Sequence, residues 1–276
     1  VGVLHPGAMG STIAAAAAEN GLDVCFASEG RSAATLERAA RYGLVDVATL
    51  GSMVARCDLI LSVCPPSSAL EVAQAVAETD FSGIYVDANA ISPPSARRLE
   101  AVMLGRARFV DGGIVGPPAT KAGTTRLYLS GSEASEVARC FERGPLDTVV
   151  IDGPPGSASA LKMVFAAWTK GSAAMLASTH AVAVAEGVDD VLLAEWQKSM
   201  PDLPARLTAT AAGVAPKAWR FEAEMREIAE TFRSAGVPSG FFEAAAETYG
   251  RLAGFKDANA PTPDQVAAKL RSPKRP

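Results

Sequence analysis

Val1-Gly2-Val3-Leu4-His5-Pro6-Gly7-Ala8-Met9-Gly10 opens the chain and runs through Ser11-Thr12-Ile13 into five alanines, residues 14–18. An apolar strand that turns sharply into a helix aims free backbone N–H groups and the positive end of the helix dipole at one point. A phosphate binds there without needing a basic side chain. Gly7 lets the backbone approach a pyrophosphate, and Gly10 lets helix and strand pack closely. His5, followed by Pro6, stands where the G-x-G-x-x-G pattern has its first glycine. The candidate phosphate-binding turn is therefore His5, Pro6, Gly7, Ala8, Met9 and Gly10, with an ordinary βα turn of another doubly wound fold as the alternative.

From this turn to about residue 152, strand and helix patterns alternate. Strands are expected at residues 23–27, 44–47 and 59–63, then at 84–87, 109–111, 127–129 and 148–151. Leu59-Ile60-Leu61-Ser62-Val63 is continuously apolar, as a strand covered on both faces should be. Ser32 is placed to cap a helix carrying Leu36, Pro65-Pro66 stops the fourth strand, and Ile91-Ser92-Pro93-Pro94 leads into another helix. This alternation predicts an α/β, Rossmann-type doubly wound sheet that is mainly parallel.

Gly153-Pro154-Pro155-Gly156 changes the pattern, and an all-helical C-terminal domain follows. The expected division is residues 1–153 and 154–276. Residues 157–186 contain no proline and a single interior glycine, Gly171; at 1.5 Å per residue the helix is roughly 45 Å long. Leu161, Val164, Phe165, Trp168, Met175, Leu176 and Val182 recur at helical spacing, which predicts that much of this helix is buried. Further helices are expected around residues 192–199, 205–212, 221–235 and 241–252, with a last one capped by Thr262-Pro263-Asp264 and ending at Leu270. Residues 256–276 also read as a polar, proline-punctuated arm.

Composition narrows the function. The chain has 276 residues, 49% hydrophobic and 20% charged, so a sizeable core is available. A net charge of -4 without an internal basic block disfavours nucleic acid and anionic membrane as partners. No transmembrane span or secretory leader is read, and the expected compartment is the cytoplasm. Cys25, Cys57, Cys64 and Cys140 lack C-x-x-C spacing, and with only His5 and His180 beside them no metal site is expected. Reduced, mostly buried thiols are the expectation.

Ligands of a doubly wound sheet lie beyond the carboxyl ends of its strands, where loops 5–10, 28–32, 64–67, 89–94 and 112–118 converge. In the second loop, Glu29 is spaced to grip the ribose of NAD, whereas Arg31 and Ser32 suit the 2′-phosphate of NADP; Ser28 opens that loop. NADP is the reading preferred here, with NAD as the alternative. The stretch Asp111-Gly112-Gly113-Ile114-Val115-Gly116-Pro117-Pro118 reads as a rigid loop able to bring backbone N–H groups to a small ligand. Lys162 is the leading candidate for catalysis, because an ammonium can stabilise and protonate the oxygen of a carbonyl being reduced. Its alternative is a lysine that snorkels to the surface. Lys170 points away by roughly eighty degrees.

In order and spacing, these motifs resemble the β-hydroxyacid dehydrogenase family, which includes 3-hydroxyisobutyrate dehydrogenase and the 6-phosphogluconate dehydrogenases. Gly7-Ala8-Met9-Gly10, Ile91-Ser92-Pro93, residues 111–118, and Gly156 with Lys162 six residues later carry the resemblance. It implies an NAD(P)-dependent oxidoreductase acting on a small hydroxyacid or related carbonyl compound, with Lys162 as general acid/base. It also implies cofactor contacts at Cys64, Pro65 and Asn89, and a substrate loop at Val115, Gly116 and Pro117. A homodimer built by the helical domain is implied as well, with the active site in the interdomain cleft. The departures are His5 for the first glycine, Val115 for a serine, Asn89 for a hydroxylated residue, and Ala166 for the substrate-holding asparagine. Thr169 could supply a hydroxyl in place of that asparagine, and Arg226-Glu227 is a weak match to a later Lys-Asp pair. Imine reductases share this architecture but usually replace the lysine; an imine reductase and a non-catalytic NADP(H)-binding protein are the alternative functions.

Overall fold

The computed structural model describes residues 1–256 and 258–271. The chain divides into two compact units, Val1–Met163 and the segment from Val164 onward.

The first unit is built from β1 (Gly2–Val3), α1 (Ala8–Glu19), β2 (Cys25–Phe26), α2 (Ala33–Arg41), β3 (Val45–Asp46) and α3 (Leu50–Val54). It continues with β4 (Leu59–Ser62), α4 (Ala69–Ala77), β5 (Ile84–Asp87), α5 (Pro93–Met103), β6 (Arg108–Val115), β7 (Thr125–Ser130), α6 (Ala134–Ala138) and β8 (Leu146–Val150). Among the described residues the strands form one sheet in the order β3-β2-β1-β4-β5-β6-β7-β8. All neighbours are parallel except β6 and β7. The strand order reverses between β1 and β4, which is where a doubly wound sheet opens a crevice. Every residue of β4 and β5 is buried, as their apolar composition requires. Val3, Ile13, Ile60, Val86 and Leu127 have no exposed surface and anchor the core.

The sequence reading is corrected at β6. This strand does not stop at Asp111 but continues through Gly112, Gly113 and Ile114 to Val115, pairing antiparallel with β7 from Asp111↔Ser130 to Val115↔Arg126. The glycines lie in the ladder because neighbouring chain leaves no room for a Cβ. At Gly112 it would stand 2.9 Å from the Asp87 carbonyl, and at Gly113 2.7 Å from that of Ala158. The loop proper begins at Gly116, whose φ of +128° and whose Cβ position, 2.3 Å from the Thr124 carbonyl, admit only glycine. The short helices α3 and α6 were not expected, and β1 and β2 are shorter than their apolar runs.

The second unit is helical. α7 (Ser157–Glu186) begins in the first unit and crosses into the second, where α8 (Asp189–Ser199), α9 (Leu203–Val214), α10 (Ala218–Ser234), α11 (Gly240–Leu252) and α12 (Pro263–Arg271) follow. Phe221 meets Tyr249 edge-on at 5.4 Å between α10 and α11, and Leu176, Trp196 and Leu207 form a satellite cluster. The tail reading is corrected in part. Val266, Ala267 and Leu270 bury one side of α12, while residues 257 and 272–276 of the expected arm lie outside the described residues.

The burial expected for the large residues of α7 holds for Leu176, is partial for Leu161, and is overturned for the other five. Ala173, Ala174, Ala177 and Ala181 face the interior, whereas Val164, Phe165, Trp168, Met175 and Val182 are exposed, Trp168 by 73%. The buried side of α7 is made mostly of alanines, with Met163, Leu176 and His180 among them. Among the described residues no helix is long and apolar enough to cross a membrane.

Candidate functional site

The turn between β1 and α1 is shaped by Gly10, where a Cβ would lie 2.3 Å from the His5 carbonyl oxygen. Gly7 is the N-cap and faces open space, with nothing within 4 Å of where its Cβ would be. Having no side chain, it leaves the first N–H groups of α1, at Ala8, Met9 and Gly10, without an intrahelical or capping partner. Ser11 and Thr12 turn their hydroxyls onto the Gly7 and Met9 carbonyls, at 2.7 and 2.9 Å. Thr12 also accepts from the Ala119 N–H at 3.0 Å, tying the loop after β6 to α1. Pro6 is buried behind the turn.

Two cationic or potentially cationic side chains meet this turn. His5 is half-buried and its Nδ1 has no hydrogen-bond partner; Arg31, from the loop after β2, has a buried Nε in the same condition. Burial, and then the Arg31 charge, pull His5 down to about 4. Burial also lowers Arg31, which the sulfur of Cys64 influences in the opposite direction. The Arg31 charge is thus felt at His5 after β1 and at Cys64 after β4. Glu29 is exposed, with its backbone N–H on the Ala48 carbonyl at 2.9 Å. Asp46 holds the loop by accepting from Ser28 and Ala48 N–H groups, and these bonds keep its carboxyl below the usual range. Ser32 is the N-cap of α2, yet its hydroxyl meets Thr35 at 3.1 Å rather than capping the backbone.

Asn89 serves the site indirectly. Its Oδ1 accepts from the Cys64 N–H at 2.5 Å, and its Nδ2 donates to Ser62 at 3.1 Å and to Asp87 at 2.6 Å. With 2% of its surface exposed, the side chain positions the loop after β4 rather than reaching outward. In that loop Cys64 is half-buried, its thiol pushed up to about 12 by burial, and Pro65 is exposed.

Asp111 organises the other half of the site. Fully buried in β6, it accepts from Ser130 Oγ at 3.0 Å, the Gly156 N–H at 2.8 Å, and Ser159 through N–H and Oγ at 2.9 and 2.5 Å. A carboxylate on the first N–H groups of a helix is favoured by both hydrogen bonding and the dipole. It fixes the start of α7, and with it Lys162 five to six residues on. Lys162 is half-buried; its Cβ lies 3.0 Å from where a Gly113 Cβ would stand, so it crosses β6 at its glycines. Asp111 pairs in register with Asp87, the last residue of β5, so Gly113 lies beyond the carboxyl end of that strand. The lysine thus stands at the same edge of the sheet as the opening turn. This use of Asp111, Ser130 and Ser159 is not legible in the sequence, because nothing local links residues up to 48 positions apart.

The remaining candidates are placed differently. Val115 is buried at the end of β6, while Gly116 and Pro117 are exposed and the Pro117 carbonyl accepts from Thr125 at 2.6 Å. Ala166 is buried, and Thr169 is exposed with its hydroxyl on the Phe165 carbonyl at 3.1 Å. Lys170 is paired with Glu224, packs 4.4 Å over the Phe221 ring, and lends its carbonyl to the Tyr249 hydroxyl at 2.7 Å. Arg226 instead makes an exposed helix pair with Glu222 at 2.8 Å. His180 is buried, its Nε2 3.9 Å from the Asp264 carboxylate.

Residues 1–143 match the family model of the NAD binding domain of 6-phosphogluconate dehydrogenase, and residues 183–252 match a domain of unknown function (DUF1932). An uncharacterized 28.5 kDa protein encoded in the 7S RNA 5′ region of Methanothermus fervidus is 32% identical over 165 residues. That match spans 60% of this chain and 63% of the relative. The 3-hydroxyisobutyrate dehydrogenase of Mycobacterium tuberculosis, solved with L-serine, superposes with a TM-score of 0.69 at 16% identity over 98% of both chains. A reductive aminase from Aspergillus terreus, solved with NADPH and ethyl levulinate, gives 0.57 at 19% identity over 98% of this chain and 97% of its own.

Proposed function

The chain belongs to the family of the NAD binding domain of 6-phosphogluconate dehydrogenase, among the β-hydroxyacid dehydrogenases, and we propose that it is an NADP-dependent oxidoreductase of a small hydroxyacid or related carbonyl compound. The observation that carries this reading is the placement of Lys162 over Gly113, at the sheet edge that also bears the β1–α1 turn. The turn suits a dinucleotide. Gly7 leaves open space before uncapped N–H groups, and the unpartnered nitrogens of His5 and Arg31 are available to an anion. The partly buried Arg31, with its unpartnered Nε, beside an exposed Glu29 favours NADP over NAD. When bound, the nicotinamide cofactor supplies or accepts a hydride.

The protein's own part is proton handling and positioning. Reduction of a C=O group builds negative charge on its oxygen, which the Lys162 ammonium stabilises and then protonates; in the reverse direction the neutral amine takes the hydroxyl proton. Asp111 holds the helix that carries this lysine, and Asn89 holds the loop after β4. With Ala166 where the family has asparagine, the substrate is held by other groups than the usual amide. That departure, together with the likeness to a reductive aminase, supports a second reading in which the substrate is a cyclic imine. We also infer a homodimer, supported by the exposed apolar residues of α7.

The test is Lys162→Ala with a panel of small hydroxyacids, their oxo forms and cyclic imines. Turnover should fall by about 10²–10⁴-fold while NADPH binds as in the parent and more tightly than NADH. Undiminished turnover would remove Lys162 from the chemistry. Activity confined to imines would select the second reading.

A further inference from the structure

Cys25 and Cys57 lie in the first unit, away from the Lys162 edge of the sheet. Their Sγ atoms are 3.3 Å apart, and both residues are buried, 3% and 8% exposed. Each backbone is held. Cys25 lies in β2, in register with Gly2 on one side and Val45 on the other, and the Cys57 N–H donates to the Met53 carbonyl at 3.1 Å after the end of α3. Gly2 makes the space, since a Cβ there would stand 3.2 Å from the Cys57 sulfur and 2.8 Å from the Met53 side chain. Disulfide sulfurs are about 2.05 Å apart, so the pair needs to close by only about 1.2 Å, within reach of side-chain rotation.

We propose that Cys25 and Cys57 are a two-cysteine oxidation site, converted by a peroxide to a disulfide that ties β2 to the segment entering β4. Cys57 is the attacking sulfur. It is the more exposed of the two, 8% against 3%, and the hydrogen-bonding contact between the sulfurs lowers Cys57 while raising Cys25. The Cys57 thiolate attacks one peroxide oxygen and the O–O bond breaks, giving a sulfenic acid and, after proton uptake, water. Cys25 sulfur then attacks the sulfenic sulfur, the S–O bond breaks, and a second water leaves carrying the Cys25 proton. Two electrons pass from the two sulfurs to the peroxide. The other cysteines are internal controls, because burial raises both Cys64 and Cys140 and neither has a thiol partner nearby in the described residues.

The folded protein is treated with hydrogen peroxide, quenched, and mapped by mass spectrometry with and without a reductant. The expected product has lost two hydrogens, carries a Cys25–Cys57 cross-link reversible by dithiothreitol, and retains Cys64 and Cys140 as thiols. In Cys25→Ser the cross-link is lost and dimedone traps a sulfenic acid on Cys57; in Cys57→Ser, Cys25 reacts at least tenfold more slowly. The wild-type map stands even where a variant fails to fold. Oxidation of Cys64 or Cys140 first, or four intact thiols under conditions that oxidise a free cysteine peptide, would overturn the proposal.

Discussion

His5 takes the place of a glycine at the turn, and a titrating ring there has a consequence for stability. Its value in the fold is about 4 against 6.5 when unfolded, so between those limits the unfolded chain binds a proton that the folded chain refuses. Stability therefore falls as pH drops from about 6.5 to about 4. After discounting for partial exposure, the loss is on the order of 1 kcal/mol. Denaturant titrations across that range should show the slope, and His5→Gln should flatten it. Asp111 offers a second test. Replacement by Asn preserves shape but removes one acceptor oxygen, leaving donors among Ser130, Gly156 and Ser159 unsatisfied in a dry site. The expected cost is about 2–4 kcal/mol in the denaturant midpoint. Turnover should fall with it, because the start of α7 is no longer fixed.

At the scale of elements, the β1–α1 turn separates two glycines that look alike in sequence. Gly10 is required by packing, since a methyl group there collides with the His5 carbonyl of the backbone itself. Gly10→Ala should destabilise the protein by about 3 kcal/mol, read from thermal or denaturant unfolding. Gly7 meets nothing, and its φ of -69° is open to any residue. Gly7→Ala should therefore change stability by less than about 1 kcal/mol. Its methyl group would stand where the cofactor's phosphates are proposed to lie, so NADPH affinity should fall at least tenfold by titration. The glycines of β6 follow the packing logic of Gly10: they let the end of β5 and the start of α7 crowd the strand, at the sacrifice of the loop that their composition suggests.

For the whole molecule, assembly turns on the exposed side of α7. Trp168 and Val182 are 73% and 62% exposed, an unusual placement for such side chains on a helix flanked by buried alanines. The proposed homodimer predicts that Trp168→Glu with Val182→Glu halves the solution mass, from twice the 28.4 kDa chain mass to the chain mass itself. Light scattering or sedimentation reads this directly. A parent protein already at the chain mass would discard the dimer.

Sequence alone determined the class of fold: a doubly wound sheet followed by helices, down to the ends of α7 at Ser157 and Glu186. Strand and helix periodicity are written over consecutive residues, and the turn residues that punctuate them act locally. The glycine turn was legible for the same reason, whereas Lys162 was singled out by the family resemblance, its local sequence suiting a surface lysine equally well. Only the tertiary structure decided which side of α7 faces inward, that β6 runs through its glycines, and that the Asn89 amide is spent on Cys64, Ser62 and Asp87. The same holds for the Asp111 carboxylate on the start of α7, 48 residues away at Ser159, and for the thiol of Cys57 beside that of Cys25, 32 residues away. Those partners are chosen by strand order and register, which bring together groups that no local pattern connects.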